Sequence, residues 1–549
     1  MPHERSSDRS TILRSFPILI SLLLGDFVLF RLLPGVDTGA GRTLRYAPLL
    51  GLSAGLFVLG IVLSHRSIRD LGSSGPAPEA GTPPASALSR MYLGILVAGL
   101  AGSVFFAYLV GKVLVFRLDH ESVWKDTVTY AAVAEAPISS SKFWAGQRSF
   151  TLPLIYKALD VDQTSLAVLS KTRLVGAFQF ILGVLSWTTL AVVVAGIIKN
   201  RVLKLVGFGV ILAFAMTLDV SLWDRVLLSE SIATSLLALI VSFALLGVRF
   251  RDRLGPHGSW WQSLYWLGFV ILIILYSFTR DTNAYFLAAC AVVILASMAF
   301  RQVRGHVSAP AWILFSIFLL ALSFVQSNNA DQGGRWVSPY YDVLQMRIFP
   351  DAVSRSYFQA AGMPADGATT AILLLGRRGF FRALESNPAA QPLTAWVQAQ
   401  GRSTYMRYLL SHPVETFMGP MNRARNLVSP VSTEYRADDY SIPVWLTIFS
   451  RFFFPLPLGI VLAWVGAIIV ALYLTGRRRK PRAEWSVPAI LLLTAVPLMY
   501  VVWYGDAIEV ERHAFQISLQ IRLGLWMLTV FLADAWLATR LTPSAEAAV

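Results

Sequence analysis

Acids and arginines recur at the ends of apolar stretches along this chain. One polar stretch runs Arg117-Leu-Asp119-His-Glu121-Ser-Val-Trp-Lys-Asp126-Thr-Val-Thr-Tyr130 and continues through Arg148 and Pro153 to Tyr156 and Lys157. Ser229-Glu230 opens a later apolar segment, Arg280-Asp281 separates two more, and Glu511-Arg512-His513 precedes the last. A carboxylate at a membrane surface can act as a general base toward a hydroxyl within hydrogen-bond reach. Arginine suits phosphate, because its planar fork makes paired, charge-assisted hydrogen bonds. Together these residue types suit transfer of a group from a phosphate leaving group. Simpler readings give the same residues: Asp119, Glu121 and Asp126 as solvated loop charges, Ser229-Glu230 as a helix cap, and Arg280 and Asp281 as a pair with each other.

The elements that must position them are apolar. Hydrophobic residues make up 55% of the chain and charged ones 14%, against about 25% charged in a soluble domain. Mean hydropathy is +0.58. A membrane-spanning helix needs roughly 20 mostly apolar residues. Such segments are predicted near 16–33, 46–64, 91–115, 173–197, 203–222, 231–248, 262–279, 283–300, 309–326, 453–475, 486–504 and 514–536. The expected class is an all-α polytopic membrane protein of about 12 transmembrane helices. The formal net charge of +15 does not point to nucleic acid, because much of the excess lies in short loops between apolar segments. Those loops carry Arg66, Arg69 and Arg90, then Lys199, Arg201 and Lys204, then Arg249, Arg251 and Arg253, Arg301 and Arg304, and Arg477 to Lys480 with Arg482. Positive residues in short loops mark the cytoplasmic side. Both termini are therefore expected in the cytoplasm, in a multi-pass inner or plasma membrane protein.

The opposite, extracytoplasmic face holds two long loops, 116–172 and 327–442, and all the acid–arginine stretches named above. Residues 128–136 have the pattern of a short interfacial helix. Residues 371–384 and 403–410 carry apolar residues at helical spacing, so 327–442 is expected to fold as a helical cap. Four regions follow: 1–90 with two helices and a flexible Gly/Pro/Ser-rich segment Gly72–Ser86, a core over 91–326, the cap over 327–442, and the final helices over 443–549. Arg522 lies about two turns inside the last apolar segment. It must face protein, water or an anionic ligand, or snorkel to the surface.

In this order and sidedness the chain resembles the GT-C glycosyltransferases, polytopic enzymes that use polyprenyl-phosphate sugars. They include protein O-mannosyltransferases, lipid A aminoarabinose transferases and arabinofuranosyltransferases. The resemblance rests on Asp126 and Tyr130, the run Arg148, Phe150, Pro153 and Tyr156, Ser229-Glu230, Arg280, Tyr408 to Pro413, and Glu511-Arg512-His513. It implies a polyprenyl-phosphate sugar as donor and a lipid, glycan or protein acceptor. It implies Asp126 as the catalytic base, with Tyr130, Arg148, Lys157, Glu230, Arg280, Arg512 and His513 as substrate-binding residues. No cofactor is expected. A divalent metal is not indicated, since Lys125 and Thr127 flank Asp126 where many GT-C members carry two adjacent acids.

Other chemistry has little footing. No Gly-rich phosphate loop, His-Glu-x-x-His or paired-Cys spacing occurs, and the one cysteine, Cys290, cannot form an intrachain disulfide. The rival readings are a ligase of lipid-linked glycans using His412 or His513, a transporter or flippase of a lipid-linked sugar, and a non-catalytic envelope partner.

Overall fold

The computed structural model describes residues 99–113, 122–250, 260–299, 309–430, 444–476 and 482–540. The expected helices at 16–33 and 46–64, the Gly72–Ser86 segment, Asp119 and Glu121 lie outside them. The chain is an all-α membrane protein; among the described residues the only extended pairing is a single bridge between Ser122 and Val226.

The apolar segments form α1 (Gly99–Val113), α4 (Leu169–Ile197), α5 (Arg201–Met216), α6 (Leu218–Arg225), α7 (Ser229–Phe250), α8 (Trp260–Ser277), α9 (Asp281–Ser297) and α10 (Ala309–Gln332). After the 327–442 region come α11 (Val444–Phe453), α12 (Leu458–Gly476), α13 (Ser486–Gly505) and α14 (Val510–Arg540). Two short helices, α2 (Lys125–Glu135) and α3 (Thr151–Ala158), lie between α1 and α4. Seven helices among the described residues are long and apolar enough to span a bilayer. The count becomes eight if α5 and α6, bent by 56° to each other, form one span. Helices α1 and α9 are apolar but shorter. The bend falls where the Thr217 hydroxyl donates to the Phe214 carbonyl and the Leu218 N–H turns instead to the Ser450 hydroxyl on α11.

Helix α14 is the axis of the bundle. Every residue from Ala514 to Leu525 is buried, as expected of a helix surrounded by others. It packs on α5, α12 and α13; α4 packs on α5 and α7, and α9 lies between α10 and α13. Helices α10 and α12 instead expose large apolar side chains such as Leu314, Phe324 and Ile469. Such faces suit lipid, where only backbones closed on themselves are tolerated.

The 327–442 region is helical where described. Its helices include Ala352–Ala360, Gly367–Leu373, Arg377–Ser386 and Arg402–Ser411. Asp351 and Asp366 cap the first two by accepting from the N–H groups of Ser354 and Thr369. The patch expected over 371–384 is two helices, broken near Gly376, the N-cap of the second. Phe358, Phe380, Leu393 and Val397 form a separate hydrophobic core. This cap docks on the C-terminal end of α13: Tyr405 donates to the Tyr504 carbonyl at 3.0 Å, and Arg347 donates to that of Trp503.

The other end of the bundle is closed by one buried acid. Asp534 on α14 accepts from the backbone N–H groups of Lys199 and Asn200 at 3.1 and 2.9 Å, and from Arg482 at 2.7 Å. Truncating one partner of a buried pair leaves the other uncompensated, at roughly 3–5 kcal/mol. Asp534→Ala is therefore expected to lower the unfolding temperature of the detergent-solubilised protein by several degrees, and a thermal melt that does not move would remove this role.

Candidate active site at the cap-side end of the bundle

Four helix starts meet at the end opposite Asp534, and each presents a charged group. The turn 225–228 is their frame. Ser122 pairs with it through its backbone, donating to the Arg225 carbonyl at 2.9 Å and accepting from the Leu227 N–H. The Thr127 and Tyr156 hydroxyls both donate to the Leu227 carbonyl, and the Gln179 amide donates to those of Val226 and Leu228. Thr127 also accepts from the Trp124 N–H, which starts α2 and puts Asp126 in its first turn. The same frame begins α7 at Ser229-Glu230. One layer deeper, Lys112 on α1 pairs with Asp224, and Ser231 donates to the same carboxylate. Gly183 allows this approach: a β-carbon there would sit 3.3 Å from the Asp224 carboxylate.

The charged groups interlock. Arg148 donates from Nη2 to Asp126 Oδ1 at 2.6 Å and from Nε to the Thr129 hydroxyl, and it lies over the Tyr130 ring. Arg512 donates from Nη1 to Asp126 Oδ2 at 2.6 Å and to Glu509 Oε2 at 2.9 Å, and from Nε to Glu230 Oε1. Arg280, the N-cap of α9, pairs with Glu230 at 3.4 Å and donates to His513 Nδ1 at 2.8 Å. The His513 Nε2 faces Asp506 Oδ2 at 3.1 Å. A guanidinium can only donate, so His513 Nδ1 accepts and its proton sits on Nε2, toward Asp506. Glu230 and Arg512 are buried, while Asp126 is partly exposed, its side chain 26% accessible.

Burial pushes the Asp126 carboxyl upward, but Arg148 and Arg512 outweigh it and hold it below the ordinary carboxylate range. Burial likewise raises Asp506, and the hydrogen bond from His513 overcomes it, to about 2.

Seven of the eight residues singled out in the sequence meet here: Asp126, Tyr130, Arg148, Glu230, Arg280, Arg512 and His513. Tyr130 is buried, and its hydroxyl donates to Ser229 at 3.1 Å. Lys157 does not join them. Its ammonium donates to the carbonyls of Ala134 and Ala136 at 2.8 and 3.0 Å, closing the C-terminal end of α2, where orphan carbonyls attract a cation. Arg280 and Asp281 do not pair with each other; Asp281 instead accepts from Ser149, Gln326 and Arg335. Arg522 reaches neither site nor surface. It donates to the carbonyls of Pro455, Val428 and Ser518 and to two serine hydroxyls. Glu509 and Asp506 also join the site, from the polar turn ahead of the last apolar segment, although neither was among the candidate substrate-binding residues. Residues three and four apart share a helix face, which puts Glu509 beside both Arg512 and His513.

No protein-family model matches this chain, and no curated protein matches it.

The lowered Asp126 fixes a sign. Its ion pairs stabilise the fold above the unfolded-state value of about 3.9, and the gain is lost only as pH falls through the lower folded value. The difference in melting temperature between wild type and Asp126→Asn should stay level from pH 8 to about pH 5 and close below about pH 4. A difference that closes between pH 7 and 5 would contradict it.

Proposed function

We propose that the chain is an inverting membrane glycosyltransferase of the GT-C kind, moving a sugar from a polyprenyl-phosphate donor to an acceptor hydroxyl. The observation that carries this reading is the sharing of Asp126 between Arg148 and Arg512 at the cap-side end of an apolar bundle. Anions bind where guanidinium groups are already gathered, and the donor's tail needs the apolar surroundings that the bundle offers. The phosphate takes over donors from Arg148, Arg512 and Arg280. Asp126 then loses the charges that hold it acidic and becomes a better base.

The acceptor oxygen attacks the anomeric carbon from the face opposite the phosphate. The new C–O bond forms as the bond from that carbon to the phosphate oxygen breaks. The departing electron pair stays on the phosphate, where the guanidinium groups meet it, and the acceptor's proton passes to Asp126. Stabilising the departing charge is commonly the larger catalytic contribution. Glu230 holds Arg280 and Arg512 in place, and the 327–442 cap limits access of water.

The basic short loops support an extracytoplasmic site with both termini inside. About 12 crossings follow if 16–33, 46–64 and the shorter helices are spans.

The test uses purified protein, a panel of polyprenyl-phosphate sugars and candidate acceptors. Asp126→Asn is expected to cut transfer by roughly 100-fold or more, with the protein still folded and donor still bound. Turnover by that variant at the wild-type rate would refute the mechanism.

A further inference from the structure

Between the cap-side ends of α9 and α10 lies a cavity of about 250 Å³. Its shape follows from the residue types. Ala284 and Ala288 line it from α9, and Leu320 and Phe324 from α10. Residues four apart share a helix face, so two alanines leave a furrow on one helix while two larger side chains stand up on the other. Phe324 is 75% accessible, and in an apolar bundle such a side chain meets lipid. The furrow is therefore reached sideways from the hydrocarbon. An apolar cavity of about 150 Å³ accommodates benzene; this one has room for a stretch of hydrocarbon tail.

One end of the furrow is polar, lined by Asp281 and Gln326. Asp281 Oδ1 accepts from the Ser149 hydroxyl at 2.9 Å and the Gln326 amide at 2.8 Å, and Oδ2 accepts from Arg335 Nε at 3.1 Å. The two members of that ion pair are unequally placed. The Arg335 side chain is 6% accessible and that of Asp281 39%. A ligand thus meets the carboxylate, which only accepts hydrogen bonds, and not the guanidinium. An anionic phosphate is disfavoured there, and a hydroxyl that can donate is favoured.

Two pairs of neighbouring residues join the furrow to the charged cluster. Arg148 pairs with Asp126, while Ser149 beside it donates to Asp281. Arg280 pairs with Glu230, while Asp281 beside it lines the furrow. The two stretches are locked together: the Thr151 N–H and hydroxyl donate to the carbonyls of Phe278 and Leu275 at 3.1 and 2.8 Å, and the Phe150 and Phe278 rings lie 4.5 Å apart.

We propose that this furrow binds the acceptor, and that the acceptor is a hydroxyl-bearing lipid, its tail between α9 and α10 and its head at Asp281. The assignment of the tail's owner rests on the transferase reading. Charge then sorts the two substrates. The donor's phosphate goes to Arg148, Arg280 and Arg512, and the uncharged hydroxyl head goes to the accessible carboxylate next to Arg280.

The test reads binding before turnover. Full-length protein in phosphatidylcholine nanodiscs is irradiated with a long-chain alcohol carrying a diazirine in its tail, or with the matching alkyl phosphate, and labelled peptides are mapped by mass spectrometry. The alcohol is expected to label segments 281–288 and 320–330, and the alkyl phosphate to label them far less. Ala288→Phe fills the furrow and should cut labelling by the alcohol roughly ten-fold; Ala288→Leu is a smaller plug that serves if the phenylalanine variant does not fold. Asp281→Asn should narrow the preference for alcohol over phosphate. Ile469→Phe, on the lipid-facing side of α12, should label like wild type, and melting curves establish that each variant is folded. Equal labelling of wild type by the two probes would make the occupant a bulk lipid, and undiminished labelling of the folded Ala288 variants would place the tail elsewhere; either result overturns the proposal. Kinetics separate it from the transferase reading: Ala288→Phe should raise the KM for a lipid acceptor and leave that for the donor unchanged, whereas failure of the transferase reading shows in Asp126→Asn and leaves the labelling as it is.

Discussion

A guanidinium buried among apolar helices must be met by carboxylates or carbonyls, and Arg512 is where that requirement organises this protein. Its donors reach Asp126 on α2, Glu230 at the start of α7 and Glu509 just ahead of its own helix. Arg280 shares Glu230 and so ties α9 to the same point. Breaking one member of such a buried set costs far more than a surface pair is worth. The helix starts gather around the charges, and the geometry of the candidate site is a consequence of that gathering.

The same rule runs down the central helix. Arg522 has no carboxylate among its hydrogen-bond partners and is satisfied by the carbonyls of Pro455, Val428 and Ser518, while its guanidinium stacks over Phe454. Those contacts pin the 428–429 segment and the junction between α11 and α12 against α14. Asp534 closes the far end. Polar groups inside the bundle therefore fix the register of helices whose apolar surfaces alone would slide, since lipid offers those surfaces no less favourable a home.

Much of this was legible in the residues, for physical reasons. Apolar length located α4, α7, α8, α10, α13 and α14 to within a few residues, because a span must cover the hydrocarbon. The convergence of Asp126, Glu230, Arg280 and Arg512 was legible because the last three sit at ends of apolar segments and Asp126 in the polar loop expected on the same side. Lys157 misled because a lysine near an acid-bearing helix can reach a phosphate or the helix's own terminal carbonyls, and the chain alone does not say which. Arg522 left its partners open because they are backbone carbonyls, which every sequence has.

The most direct measurement of the central claim is a double-mutant cycle on Glu230 and Arg512, using Glu230→Gln, Arg512→Met and the pair, with unfolding free energy read in detergent. Direct pairing predicts strong coupling, on the order of 2 kcal/mol or more, with the double variant no worse than either single one. Additive losses would mean that the two side chains do not depend on each other, and that Arg512 does not organise the helix starts around it.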